Sequence, residues 1–266
     1  MAETKTIRSI AYDQHEILYN IMQLYTDGQP FECDPTYSIG NFYGDFTVTT
    51  IEGDKMDISI PQPKYKFDVA PQVEGVVQID PWGPIPLEDN SVSSVCIDLP
   101  FVISCGPSMQ GPNFDENGKR VKNNMISRRF ASYYPVAELL KSYRHWIEEA
   151  YRILKPNGIL AFKCQKTITG SKALNTPEYS WLIAESLGFD MVDSFMLLAK
   201  ARLISGKVKK QQHSRRFESE FLVFKKALNK KIRYLHFTDD EDAKSIMDGF
   251  LSNNIAKNKK KNIVQP

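Results

Sequence analysis

The spacing of apolar residues predicts three helices along the chain. Between residues 14 and 25 apolar side chains recur every three or four positions, and a turn containing glycine and proline ends the pattern. The same spacing predicts a long helix that begins at Pro135 and ends at the turn 155–158, and a shorter one over 179–187. The first two of these segments are interpreted as amphipathic helices.

Short apolar runs predict strands, and three of the runs end at an aspartate. They cover Tyr65–Asp68, 75–80 and 91–98, and proline-rich or acidic turns separate them. A parallel sheet that binds its ligand at the carboxyl ends of its strands would have this series of terminal carboxylates.

The remaining strands complete a sheet. A buried strand is predicted over 159–164, after the long helix, and 47–51 is a possible strand in a polar stretch. Segments 191–204 and 217–224 are typical of a long antiparallel hairpin with a basic connection. Strands separated by helices and followed by one terminal hairpin predict a doubly wound α/β sheet, mostly parallel, with one antiparallel C-terminal strand.

Composition indicates a globular protein of ordinary domain size. The 266 residues are 42% hydrophobic and carry 34 basic against 32 acidic side chains, enough for one α/β domain with some appended structure. We predict that domain over 1–227 and a charged, partly flexible extension over 228–266. No apolar run reaches the roughly 18 residues of a membrane span, and the N-terminus has no signal-like core. A cytoplasmic protein with no membrane partner is expected.

Basic residues concentrate in two stretches that lack acidic residues. Such local asymmetry suits a polyanionic partner, and a solvated surface is the alternative interpretation. The histidine of the second stretch is interpreted in the same two ways. The candidate nucleic-acid contacts are Lys119, Arg120, Lys122, Arg128, Arg129, Lys209, Lys210, His213, Arg215 and Arg216.

The cysteines indicate neither a disulfide framework nor a metal site. Cys33, Cys96, Cys105 and Cys164 are scattered, without a CxxC pair, and three of them lie in or beside apolar runs. We expect them to be small buried hydrophobic residues in a reducing compartment.

The segment Asp98-Leu99-Pro100-Phe101 follows a buried strand and carries the candidate chemistry. A carboxylate and backbone carbonyls in this position can accept the two hydrogens of a planar amino group. The aromatic ring can stack on the group to which the amino nitrogen belongs. The sequence therefore predicts a site for a planar amino group at this end of the strand.

This segment and the order of the others resemble the amino-methyltransferases that act on adenine or cytosine in DNA. The pattern of that family is (D/N/S)PP(Y/F/W), and Leu99 stands where the pattern has its first proline. The loop over 34–40 is similar to the family's methyl-donor loop, DPFxGSG. It matches at Asp34, Pro35 and Gly40, whereas Ser38 stands in place of the first glycine.

The resemblance implies a Rossmann-like methyltransferase fold, S-adenosyl-L-methionine as cofactor and DNA as partner. It places Asp68 at the ribose hydroxyls and Asp80 at the adenine amino group of the donor, and for both a turn cap at a strand end is the alternative. It assigns donor binding also to the loop residues Asp34, Pro35, Thr36, Tyr37 and Gly40.

The resemblance further implies in-line methyl transfer to an exocyclic amino nitrogen, with adenine favoured as the base. Asp98 and the carbonyl of Leu99 or Pro100 would accept its hydrogens, and Phe101 would stack on the base. Two other functions stay open. One is methylation of RNA or of a protein glutamine, whose enzymes use a related Asn-Pro-Pro-Tyr site. The other is nucleic-acid binding without catalysis.

Overall fold

The computed structural model of the protein describes residues 6–101, 103, 133, 135–169, 172–200 and 214–228. Its helices are α1 Gln14–Tyr25, α2 Val136–Ile153 and α3 Thr176–Leu187. Its strands are β1 Ile10–Ala11, β2 Cys33–Asp34, β3 Gly44–Thr49, β4 Lys55–Ile60, β5 Tyr65–Asp68, β6 Val77–Gln78, β7 Val92–Asp98, β8 Leu154–Cys164, β9 Thr167–Thr169, β10 Lys172–Leu174, β11 Phe189–Leu198 and β12 Glu218–Lys226.

Most of the strands form one central sheet in the order β1-β11-β12-β8-β7-β2-β5-β6. Within the described residues of this sheet, β12 alone runs antiparallel to its neighbours, β11 and β8. The predicted doubly wound sheet with one antiparallel C-terminal strand is confirmed. Its order reverses at β2, because β5 lies on one side of that strand and β7 on the other.

Both faces of the sheet are buried. Successive side chains of a strand point to opposite faces, so Val95 and Ile97 of β7 pack beneath α2 and α3. Cys96, between them, packs on the other face with α1 and the hairpin of β3 and β4. Helices on both faces are the arrangement expected of a doubly wound fold.

The helices lie close to where the pattern of apolar residues predicts them. Helix α1 has the predicted bounds, and the side chain of its N-cap residue, Asp13, accepts a hydrogen bond from the backbone N–H of His15. Helix α3 begins at Thr176, before the predicted position, because Pro177 suits the first turn of a helix. It ends at Gly188, which has a left-handed φ of 102°.

Several predictions for the sheet differ from the structure. Strand β11 covers Phe189–Leu198, whereas the predicted strand is 191–204, of which 201–204 lie outside the described residues. The predicted strand 75–80 is reduced to the exposed pair Val77–Gln78 at the sheet edge. The predicted turn 155–158 is a bulge within β8, where Asn157 has a φ of 65°. The stretch around 47–51 is a complete hairpin, which was hard to recognise because only Val48, Ile58 and Ile60 of its strands are buried.

No described helix is long and apolar enough to cross a membrane. Residues 229–266 lie outside the described part of the chain, so the predicted extension over 228–266 stays a prediction.

Candidate functional site

Three aspartates lie at the carboxyl ends of three adjacent parallel strands. Asp34 ends β2, Asp68 ends β5 and Asp98 ends β7, and β2 lies between the other two. In open α/β sheets ligands bind in the crevice outside the strand ends at the point where the strand order reverses. The structure therefore brings Asp68 and Asp98, two of the three predicted strand-end carboxylates, together with Asp34 to the position where such a fold binds its ligand. The third, Asp80, lies two residues beyond the end of β6.

Thr36 joins the loop 34–40 to the end of β7. Its backbone N–H and its hydroxyl donate hydrogen bonds to Oδ1 of Asp34, at 2.8 and 3.0 Å. Its hydroxyl oxygen also accepts a hydrogen bond from the backbone N–H of Asp98 at 2.8 Å. One side chain thus connects the candidate donor loop with the candidate target segment.

The same loop is fixed to β5 on its other side. The backbone N–H of Tyr37 donates to the carbonyl of Phe67 at 3.0 Å, and that of Ser38 donates to Oδ2 of Asp68 at 2.7 Å. Ser38 and Gly40 both have left-handed φ values, of 54° and 75°. Ser38 therefore adopts a backbone conformation that glycine adopts more readily, at the position where the resemblance places a glycine.

Asp34 is the buried anchor of the loop. Asp34 is only 2% exposed, and its Oδ2 accepts a hydrogen bond from the Tyr43 hydroxyl at 2.7 Å. Burial raises the pKa of Asp34 to about 7, against the opposing hydrogen bonds from Tyr43 and Thr36. Pro35 and Tyr37 are buried as well, so these predicted donor-binding residues shape the loop from within.

The carboxylates of Asp68 and Asp80 cap turns at their strand ends. Oδ1 of Asp68 accepts from the backbone N–H of Ala70 at 2.7 Å. Asp80 is exposed, two residues beyond β6, and its Oδ1 accepts from the backbone N–H of Trp82 at 2.7 Å. The turn-cap interpretation therefore holds for both. A carboxylate has about four lone-pair sites, so each of them keeps the capacity to accept further hydrogen bonds from a ligand.

The segment Asp98 to Phe101 is anchored in the hydrophobic core at its second residue. Leu99 is 5% exposed and packs in the hydrophobic core against α2 and α3, whereas Pro100 and Phe101 are half-buried. The leucine that replaces proline thus anchors the segment through its side chain. Oδ2 of Asp98 lies 3.0 Å from Nζ of Lys163, and among the described residues no donor contacts Oδ1.

Two residues near the site were not identified from the sequence. Lys163 lies opposite Asp98 in the ladder of β7 and β8, and the signal that could have found it is a lysine within a buried apolar run. The ring nitrogens of His15 lie 2.7 Å from Oδ1 of Asp13 and 2.7 Å from the carbonyl of Asn41. Burial alone would lower the pKa of His15, but these two hydrogen bonds raise it above its ordinary value.

The predicted nucleic-acid contacts are described only in part. Arg215 and Arg216 precede β12 and are half-buried, and Nη1 of Arg216 lies 3.7 Å from Oε1 of Glu218. The other predicted contacts lie outside the described residues, namely Lys119, Arg120, Lys122, Arg128, Arg129, Lys209, Lys210 and His213.

The described cysteines are buried thiols. Cys33, Cys96 and Cys164 are free, and burial raises the pKa of each thiol well above its ordinary value, which disfavours the reactive thiolate. Cys105 lies outside the described residues.

Comparison with known proteins gave no family model and no curated protein that matches the chain. Among solved structures, a protein assigned as a type 11 methyltransferase from Sulfolobus solfataricus is 14% identical, with 85% of this chain and 99% of that chain covered and a TM-score of 0.37. A protein assigned as a DNA modification methylase from Thermus thermophilus, in complex with S-adenosyl-L-methionine, is 12% identical, with 56% of this chain and 54% of that chain covered and a TM-score of 0.31.

In two further structures of the Thermus protein, 41% and 52% of that protein's chain is covered. The present chain therefore spans about half of the length of the Thermus protein. Likenesses at these identities and TM-scores are too weak to indicate an activity. The strand order therefore defines the fold, and the geometry of the site is what indicates a function.

Proposed function

We propose that the protein is an S-adenosylmethionine-dependent methyltransferase that modifies an exocyclic amino group of DNA, with adenine as the base. The observation that carries this proposal is the junction at Thr36. Its hydroxyl joins a DP-containing loop with two left-handed residues to the backbone of Asp98 at the point where the strand order reverses. A donor loop and an amino-binding segment would have to be adjacent for direct transfer between their ligands.

The chemistry of the acidic side chains fits the proposed donor. S-adenosylmethionine has ribose hydroxyls and an adenine amino group, all of which can donate hydrogen bonds to a carboxylate. Asp68 lies beside the loop and would accept from the hydroxyls, and exposed Asp80 would accept from the amino group. Asp34 would hold the shape of the loop from beneath, since it is buried.

Asp98 and the two backbone carbonyls after it would orient the target amino group. An exocyclic amino nitrogen is a weak nucleophile because its lone pair is delocalised into the ring, and acceptors for both hydrogens favour a pyramidal nitrogen. When bound, S-adenosylmethionine would supply an activated methyl group. Its transfer would form a nitrogen–carbon bond and break the carbon–sulfur bond, with that electron pair left on sulfur and one amino proton released. Asp98 is the proposed acceptor on the path of that proton.

The target base has to leave the duplex or be single-stranded, because its amino nitrogen is paired inside double-stranded DNA. Phe101 is half-buried and would offer a ring face to the unstacked base. The basic residues of the two stretches would neutralise phosphates, which is the sequence-independent part of DNA binding.

The proposal is tested by incubating the purified chain with methyl-labelled donor and unmethylated DNA, both duplex and single-stranded. We expect label in adenine at the exocyclic nitrogen after digestion to nucleosides. Asp98→Ala should lower the rate by at least about 100-fold, as removal of a preorganised electrostatic interaction does. Its donor affinity should stay near that of the wild type.

Asp54→Ala is the matched control, because Asp54 is exposed in the turn between β3 and β4 and should leave the rate unchanged. Label found in RNA or in protein glutamine and not in DNA would replace the proposed substrate. Full activity of Asp98→Ala would contradict the proposed site.

A further inference from the structure

Lys163 carries an ammonium group into a strand segment that is otherwise apolar. Its neighbours Ile159, Leu160, Ala161, Phe162 and Cys164 are at most 4% exposed, and Lys163 itself is 9% exposed. Burial of a charged group is strongly unfavourable unless the group is paired and hydrogen-bonded. The contacts of this side chain therefore indicate why it is there.

The ammonium group lies where several parts of the site meet. Its Nζ is 3.0 Å from Oδ2 of Asp98 and 3.1 Å from Oε1 of Gln14, at the start of α1. It also lies 5.2 Å from the ring centre of Phe42 and 5.5 Å from that of Phe221, over both rings. Phe42 follows the loop 34–40, so Lys163 contacts both the donor side and the target side of the site.

These contacts restrict the orientation of Asp98. Lys163 occupies one carboxylate oxygen, and Thr36 holds the backbone N–H of the same residue. The Asp98 side chain is 29% exposed, and in the described part of the chain no donor contacts its Oδ1. Among the described residues, one oxygen is therefore held by Lys163 and the other makes no hydrogen bond, which leaves it able to accept one from a ligand.

We propose that Lys163 is a positioning residue for methyl transfer, whose ion pair with Asp98 orients that carboxylate so that Oδ1 accepts from the target amino group. This inference rests on the proposed function. A group that must meet a reacting nitrogen in one geometry contributes most when its own rotamer is fixed beforehand. An ion pair that only supports the fold is the other outcome of the test.

The test measures kcat per donor-binding site, so that any misfolded fraction is excluded from the rate. Lys163→Met should lower kcat by about tenfold or more, with KM for DNA and donor affinity near those of the wild type, because the loss is one of orientation. Lys163→Arg retains the charge and should recover part of that loss. Lys155→Met is the matched control, because Lys155 lies in β8 but is exposed, and it should have wild-type kcat.

Lys163→Gln serves as a second variant, since it retains a hydrogen-bond donor without the charge and is tolerated more readily in a buried position. A wild-type kcat per site in either Lys163→Met or Lys163→Gln overturns the inference, as does a loss confined to the number of donor-binding sites. A wild-type chain that binds donor and transfers no methyl group overturns the proposed function together with this inference. An active wild type whose Lys163→Met or Lys163→Gln variant has wild-type kcat per site overturns this inference alone.

Discussion

The carboxyl group of Asp34 is buried beneath the loop 34–40. This burial couples the protonation of the group to the stability of the folded protein. Burial raises its pKa to about 7 from an ordinary value of 3.8. The folded state therefore holds the proton more tightly than the unfolded chain does. The resulting stabilisation is complete below about pH 4 and is lost as the pH rises through about 7.

The free energy of unfolding of Asp34→Asn minus that of the wild type should therefore increase as the pH rises from about 4 to about 7. At higher pH this difference should stay constant. Urea unfolding of both proteins across this range measures it. Parallel curves for wild type and Asp34→Asn would show that Asp34 does not titrate in this window.

Leu99 is a core residue within the candidate target segment, so its substitution should act on stability before it acts on chemistry. Leu99→Ala should lower the free energy of unfolding by about 2 to 5 kcal/mol, as other buried leucine truncations do. Leu99→Pro also removes the buried leucine side chain, so it should lower the free energy of unfolding as well. Leu24→Ala, at a position 47% exposed on α1, should have a much smaller effect in the same urea titration. Equal effects of the two alanine variants would place Leu99 outside the core.

At the scale of elements, the loop 34–40 depends on one glycine for its shape. Gly40 has a φ of 75°, and an added Cβ would lie 2.6 Å from Cζ of Tyr37. Gly40→Ala should therefore displace Tyr37 and weaken the donor affinity by about tenfold or more, which corresponds to about 1.4 kcal/mol. Calorimetric titration of S-adenosylmethionine measures the effect.

Gly75→Ala is the control for this substitution. Gly75 has a similar φ of 79°, but no atom lies within 4 Å of the position of an added Cβ. The Gly75→Ala variant therefore has the backbone strain of an alanine in the left-handed region, but its Cβ collides with no side chain. Equal donor affinities for the two variants would contradict the role assigned to Gly40.

Local patterns predicted two of the three strands that form the site, β5 and β7, whereas β2 was not predicted as a strand. Helix α1 and strand β5 have the predicted bounds, because apolar spacing and capping residues are properties of neighbouring positions. The hairpin of β3 and β4 was largely missed, since its strands bury few side chains and its period is weak. Strand β6 is shorter than predicted because its apolar residues lie at an exposed edge.

The contacts between elements could not be predicted in the same way. Asp98 and Lys163 are 65 positions apart, and their ion pair depends on the register of β7 against β8. The link from Thr36 to the backbone of Asp98 spans 62 positions and depends on the packing of β2 beside β7. The sequence therefore indicated the carboxylates at the ends of β5 and β7, and tertiary structure decided which partner each carboxylate has.

At the scale of the whole molecule, the basic residues should make DNA binding dependent on salt. Reversal of charge at Lys209, Lys210, Arg215 and Arg216 should weaken binding and reduce the log–log salt slope by about 0.9 for each phosphate that is no longer neutralised. Fluorescence anisotropy with a duplex at several salt concentrations measures the slope. Reversal at four exposed lysines elsewhere is the control, namely Lys55, Lys64, Lys155 and Lys172. An unchanged slope in the first variant would exclude those four residues from the DNA interface.

Calorimetric titration of S-adenosylmethionine tests most directly whether the crevice at the ends of β2, β5 and β7 binds this compound, as proposed. We expect one site per chain in the wild type. Asp68→Ala removes an acceptor of hydrogen bonds beside the loop and should weaken binding by about 1.5 to 3 kcal/mol, or roughly ten- to hundredfold. Asp54→Ala should bind as the wild type does. A wild-type chain that does not bind the compound, or an Asp68→Ala variant with wild-type affinity, would contradict the account.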